Sequence, residues 1–203
     1  MRVCDPMLVS LAREFSVTTG DASAVIAAFA VSYGVLQLFY GPLGDRLGKV
    51  RVVIGATFAC ALFSGVTALA PTLPVLVAAR AAMGASAAGI IPLSMAWIGD
   101  NVPYEQRQET LAQLMVATVS GMMAGQWFGG FAVEALGWRA AFVVLSLLFL
   151  TAASLLWRQA RAMAASTPTP AAGSAVPPAF SLSAYLANTA ALLRMPRVRW
   201  VLT

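Results

Sequence analysis

Long apolar runs separated by short polar knots dominate this chain. The runs cover residues 22–40, 52–70, 76–98, 111–133 and 140–157. Each is close to the ~20 apolar residues that cross ~30 Å of hydrocarbon as a helix. They lack the alternation of a lipid-facing barrel strand, and an isolated apolar strand would leave backbone groups unpaired in lipid, so they predict membrane-spanning helices. A secretory leader explains one short apolar run near a start, not five spread over most of a chain. Glycines inside the runs are compatible with such helices.

Two further segments predict helices only in part. Residues 1–15 read as the end of a helix, yet that length rises only ~22 Å, too short for a crossing. If this helix ends near Phe15, Asp5 lies ~15 Å from its end, close to the middle of the membrane. At the other end, Arg194-Met-Pro-Arg-Val-Arg199 followed by Trp200 to Thr203 reads as a basic anchor leading into another apolar segment. The expected fold is therefore an all-α integral membrane bundle cut at both ends: a partial helix 1, complete helices 2 to 6, and the start of helix 7. Residues 1–157 form the membrane part, 158–195 a linker and 196–203 the start of a second half. Residues 166–178 are rich in Pro, Ala, Thr, Gly and Ser and cannot bury a core. Residues 181–193 read either as a short interfacial helix or as more linker.

Composition agrees with this class. The chain is 60% hydrophobic and 10% charged, with a mean hydropathy of +0.79, far more apolar than a soluble domain can hide. The basic residues fall on alternate junctions: Arg46, Lys49 and Arg51, then Arg107, then Arg158 and Arg161, with only Arg139 on the opposite side. The positive-inside rule places Asp45, Asp100 and the tail after Trp157 in the cytoplasm. A net charge of +5 and a pI near 9.9 agree with that topology and require no nucleic-acid partner. The lipid bilayer is the first partner expected, with anionic headgroups a secondary contact.

Several chemistries are poorly served. There is no histidine, and Cys4 and Cys60 stand far apart, so a metal site of the usual kinds has almost no ligands. No phosphate-cradling Gly-x-x-x-x-Gly-Lys-Ser/Thr loop is present, so nothing here hydrolyses ATP by that route. No catalytic residue, metal or bound cofactor is expected.

The polar residues that do occur near or within the runs are the candidates. Gly41, Gly44 and Gly48 recur near one face of a helix end, letting another backbone approach or the chain turn. Asp45 is placed to accept bonds from a neighbouring helix amino terminus. Arg46, Lys49 and Arg51 reach headgroups or pair with Asp100 across adjoining helix ends. Arg80 lies ~10 Å inside its helix if that helix begins near Leu73. An arginine at such depth is expensive and points to a water-filled path with a partner. Tyr33 and Gln37, one turn apart, and Gln113 and Gln126 are the other candidates for a polar cavity; each otherwise bonds a neighbouring helix. Gly121, Gly125 and Gly129 form a small-residue ladder suited to close helix contact.

On these residues the chain resembles the amino-terminal half of a major facilitator superfamily transporter, over nearly its whole length. Gly41, Asp45, Arg46, Gly48 and Lys49 are similar to the superfamily's signature between helices 2 and 3. Arg80 and Gly84 resemble the Arg-x-x-x-Gly of helix 4. Gly125-Gln-Trp-Phe-Gly-Gly130, followed by Gly137-Trp-Arg139, is similar to the helix 5 signature of drug and metabolite antiporters and the start of helix 6. Gln126 stands where that signature has proline, removing an expected kink.

The resemblance implies a six-helix half-bundle working by alternating access with a carboxy-terminal half absent from this chain. It implies a small-molecule substrate, a proton gradient as energy source, and proton-coupled efflux of drugs or small metabolites from a bacterial inner membrane. The helix 2–3 residues, with Asp100 and Arg107, would form a conformational gate. Helices 1 and 4 are equivalent members of inverted repeats, so Asp5 is the implied partner of Arg80, with Arg2 one turn from Asp5. In the other reading Arg2 and Asp5 neutralise each other and Arg80 snorkels to the surface. Two other functions stay open: a proton symporter importing sugars or organic acids, and a non-transporting membrane fragment or scaffold.

Overall fold

The protein is described by a computed structural model over residues 7–166. Arg2, Asp5, the linker from residue 167 onward and the start of helix 7 lie outside the described residues. All regular structure among the described residues is helical: α1 (Leu8–Glu14), α2 (Thr19–Ala22), α3 (Ala24–Leu47), α4 (Lys49–Ala68), α5 (Leu73–Ala87), α6 (Ile90–Asn101), α7 (Tyr104–Ala135) and α8 (Trp138–Ser166).

The first helix ends at Glu14, and Ser16 turns the chain with a left-handed backbone (φ 52°). Helix α2 begins at Thr19, ahead of the apolar run that starts at residue 22, because its N-cap Thr18 and Asp21 form a reciprocal capping box. The Thr18 hydroxyl oxygen accepts the Asp21 N–H at 3.0 Å, and the Asp21 carboxylate accepts from the Thr18 N–H at 3.3 Å. Gly48 alone joins α3 to α4, at φ +89°, a conformation that only glycine adopts without strain. Gly137 (φ +80°) reverses the chain between α7 and α8. These two reversals lie at opposite ends of the bundle, referred to below as the Gly48 end and the Gly137 end.

The run at 76–98 predicted one helix and forms two. Pro92 has no N–H to give the carbonyl four residues back and its ring crowds that carbonyl, so the ladder breaks at Ala88 and Gly89. Among the described residues, four stretches are long and apolar enough to cross a membrane: Thr19–Leu47, Lys49–Ala68, Leu73–Asn101 and Trp138–Met163. The fourth predicted run, 111–133, lies in α7, at 32 residues the longest helix among the described residues. It has the length but not the same apolarity, because Gln113, Ser120, Gln126 and several glycines dilute it. Helix α8 continues beyond Trp157, where its apolar run stops, to Ser166.

The closest packing is between α4 and α8 and between α3 and α5, with α4 also against α5. Ser146 donates to the Ala61 carbonyl at 2.7 Å, tying α8 to α4 through small residues. Thr57 and Thr67 return their hydroxyl protons to carbonyls one turn back, so neither presents an open donor to lipid. The main apolar core lies toward the Gly137 end, where Met7, Leu11, Val25, Leu76, Trp138 and Phe142 are buried together. Large apolar side chains such as Val31, Leu38, Leu62, Leu147 and Leu155 point outward, the arrangement of a bundle whose solvent is hydrocarbon.

Candidate functional site

The Gly48 end gathers charge. Because a single residue separates α3 from α4, Asp45 in the last turn of α3 faces Lys49 at the start of α4, with Nζ to Oδ1 at 3.6 Å. The same ammonium donates to Oδ2 of Asp100 at the end of α6. Lys49 therefore bridges two carboxylates on different helices. Asp45, expected to accept bonds from a neighbouring helix amino terminus, takes this ammonium as a partner; its side chain is 70% exposed. Lys49 thus makes the pairing with Asp100 expected of the cations at this end.

Gly44, Asp45, Arg46, Gly48, Lys49, Arg51, Trp97, Asp100 and Asn101 line a cavity of about 610 Å³ at this end. Gly44 lies directly beneath the Leu93 side chain, which a Cβ would strike. Gly41 has open space around it and makes no such approach. Arg107, in the first turns of α7, donates from Nη2 to the carbonyl of Val102 at 3.2 Å, closing the end of α6. Its Nε is buried without a partner among the described residues.

Arg80 is 2% exposed, so snorkelling to the surface is not the conformation observed. Its guanidinium lies 4.6 Å from the centroid of the Phe29 ring and 5.7 Å from that of Phe142, and Nη1 contacts the Met83 sulfur at 3.3 Å. Aromatic faces partly compensate a desolvated cation, but they do not replace hydrogen bonds. The Arg80 Nε is buried without an acceptor among the described residues. Gly84, one turn on, lets α5 approach α3 so closely that a Cβ would overlap the Phe29 carbonyl. That approach puts Phe29 over Arg80. Tyr33 stacks on Phe29 at 6.0 Å and extends the aromatic column.

The remaining candidates do not join this cluster. Gln37 is exposed on α3, and Gln126 is exposed on α7. Gln113 is also exposed and donates to Glu109 at 3.4 Å. In the α7 ladder, Gly121 is exposed with nothing within 4 Å of a Cβ, Gly125 is half-buried and Gly129 buried. Gly130 is half-buried with equal room. The ladder has no packed helix opposite Gly121 among the described residues.

A second polar cluster, at the Gly137 end, escaped sequence reasoning. Glu14 accepts hydrogen bonds from Trp138 Nε1 and from Arg139, and Arg139 donates onward to the Ala70 carbonyl at 3.1 Å. Arg139 also stacks on the Trp138 ring at 4.5 Å. Three helix ends, those of α1, α4 and α8, are thereby fastened together. Partial burial pushes the Glu14 carboxyl up, but the Trp138 and Arg139 hydrogen bonds and the Arg139 charge outweigh it and hold the pKa below the ordinary 4.5. The only sequence cue was that Arg139 is the one cation in the junctions 71–74 and 134–139; nothing marked Glu14 as its partner.

No group of three or more Cys, Asp or Glu among the described residues is arranged to hold a metal. What the geometry defines is an all-α, multi-pass membrane half-bundle with ion pairs at both ends and a buried arginine between them. A sequence model of the Major Facilitator Superfamily matches residues 3–203, and the chain belongs to that superfamily. It is similar to Multidrug resistance protein D of Escherichia coli, 28% identical over 145 residues, covering 70% of this chain and 36% of that protein. It is also similar to the multi-drug resistance efflux pump PmrA of Streptococcus pneumoniae, 32% identical over 132 residues, covering 64% and 33%. The Methylenomycin A resistance protein of Streptomyces coelicolor is 34% identical over 124 residues, covering 59% and 26%. The chain spans about a third of the length of the curated relatives it matches.

Proposed function

We propose that this chain is the amino-terminal half of a proton-coupled exporter of drugs or small metabolites that works by alternating access. The observation that carries the reading is Lys49, whose ammonium bridges Asp45 and Asp100 across three helix ends. Such a bridge is formed in one arrangement of the ends and broken when they separate, which is what a conformational gate requires. The names of the relatives, a multidrug resistance protein and a multi-drug efflux pump, support drugs as the cargo class.

In this proposal the Gly48 end and the linker face the cytoplasm of a bacterium, the bilayer is the inner membrane, and a carboxy-terminal half completes the path. Arg80 supplies a fixed buried cation and Asp5 the carboxylate that exchanges the proton, since a carboxyl near a cation is held ionised until a proton or substrate displaces that contact. The proton gradient supplies the energy, and no cofactor is used.

The test is substrate-dependent proton movement in liposomes containing the full-length protein. Wild type is expected to move protons when a panel of hydrophobic drugs is added, and Asp5→Asn and Arg80→Ala to lose that response. Wild-type activity and pH dependence in both variants, or no proton movement with any compound, contradicts the proposal.

A further inference from the structure

We infer that Tyr40 is the positioning residue that holds the broken helix α5–α6, and with it Asp100, in the closed arrangement of the gate. This deepens the reading above and rests on it. Where α5 stops at Ala87, its last carbonyls have no continuing helix to bond. Gly84 receives the Ala88 N–H at 3.1 Å, and the next two carbonyls are taken up from another helix. The Tyr40 hydroxyl, on α3, donates to the Ala85 carbonyl at 2.9 Å and also lies 3.3 Å from the Ser86 carbonyl. A second, independent feature fixes the ring itself: it lies so close to Gly89 that a Cβ there would overlap it. The break created by Pro92 is therefore filled by a tyrosine from α3.

The consequence lies farther along. Beyond the break, α6 touches α3 again where Leu93 covers Gly44, and it ends in Asp100 against Lys49. Tyr40, Leu93 and Asp100 form three successive fastenings along the segment from the break to the Gly48 end. Tyr40 is the one at the pivot. Its hydroxyl holds the last carbonyls of α5 and its ring lies against Gly89, so releasing it loosens the junction about which the segment 90–101 swings, while the earlier turns of α5, which carry Arg80, stay in place. Opening at the Gly48 end then proceeds by motion of half a helix.

The test places a single reporter cysteine at Leu93→Cys in full-length protein whose native cysteines are replaced by alanine. Leu93 is 2% exposed, so its reaction with a water-soluble maleimide reports separation of α6 from α3. Tyr40→Phe keeps the ring and removes the hydroxyl. It is expected to raise the labelling rate about two- to tenfold, the population change that one neutral hydrogen bond governs. Gly89→Ala, which displaces the ring, is expected to do the same. A reporter at Leu76→Cys, buried in the outer part of α5, is expected to be unchanged by Tyr40→Phe. Equal labelling at position 93 in Tyr40→Phe and its parent overturns the inference, as does a parallel rise at position 76, which would mean general loosening. Proton movement measured in the same vesicles separates the two levels: its absence in the parent rejects the transport reading, whereas the labelling ratio judges the latch.

Discussion

Alanine at position 84 gives a numerical test of the packing that puts Phe29 over Arg80. A Cβ on Gly84 would overlap the Phe29 carbonyl oxygen and sit 3.0 Å from both Phe29 C and Cα. Ordinary carbon contacts are ~3.5–4.0 Å, so α3 must retreat by about 0.5–1 Å. The atoms in the way are backbone, and no rotamer change relieves them. Overpacking of this kind costs about 1–3 kcal/mol. Retreat of Phe29 also weakens a contact with Arg80 worth up to ~2 kcal/mol when desolvated. Against both stands the ~1 kcal/mol that alanine gains over glycine in a helix interior. Taking about 2 kcal/mol for overpacking and about 1 kcal/mol for the weakened contact, the net loss is about 2 kcal/mol, which at ~2–4 °C per kcal/mol lowers Tm by about 4–8 °C. The same change at Gly55, where a Cβ meets nothing within 4 Å, retains only the propensity gain. It should raise Tm by up to ~4 °C. Fluorescence-monitored thermal unfolding of the purified protein reads both. A Gly84→Ala protein that melts with its parent, or a larger loss at Gly55→Ala, refutes the reasoning.

The clasp at the Gly137 end should respond to acid. Because the Glu14 pKa is depressed, its contribution to stability is present above the ordinary value of 4.5 and is lost as pH falls through the folded value. Tm should therefore drop more steeply below about pH 5 in wild type than in Glu14→Gln, and parallel curves would argue against the clasp. At the Gly48 end, Lys49→Gln leaves two carboxylates facing each other. The resulting fall in Tm should shrink as salt is raised from about 0.1 M to 1 M, where the screening length drops from ~10 Å to ~3 Å. A deficit independent of salt would mean that the bridge is not electrostatic.

What could be read from the sequence came from the demands of the solvent. Hydrocarbon requires continuous apolar runs and paired backbone, so the helices, the Gly48 turn and the depth of Arg80 were all visible in spacing and charge. The run at 76–98 was visible as apolar, but hydropathy does not register the missing N–H of Pro92, and the break was read as continuous helix. In α7 the glutamines and glycines each stand out singly in the sequence, whereas the loss of apolarity comes from their sum over the whole run. Pairings over long separations left no periodic signal: Glu14 and Arg139 are 125 residues apart, and Tyr40 meets Ala85 across 45. The neighbours of Arg80 were likewise hidden, because Phe29 and Phe142 look like ordinary lipid-facing or packing residues until α3 and α8 are placed beside α5.

The central requirement is that the Gly48 end lies inside the cell with its bridge exposed to cytoplasmic water. The direct measurement is labelling of Asp45→Cys, at a side chain 70% exposed, by a membrane-impermeant maleimide. No labelling is expected when the reagent is added outside intact cells, and ready labelling in inside-out vesicles. Labelling from outside intact cells would contradict the proposed topology and, with it, the gate.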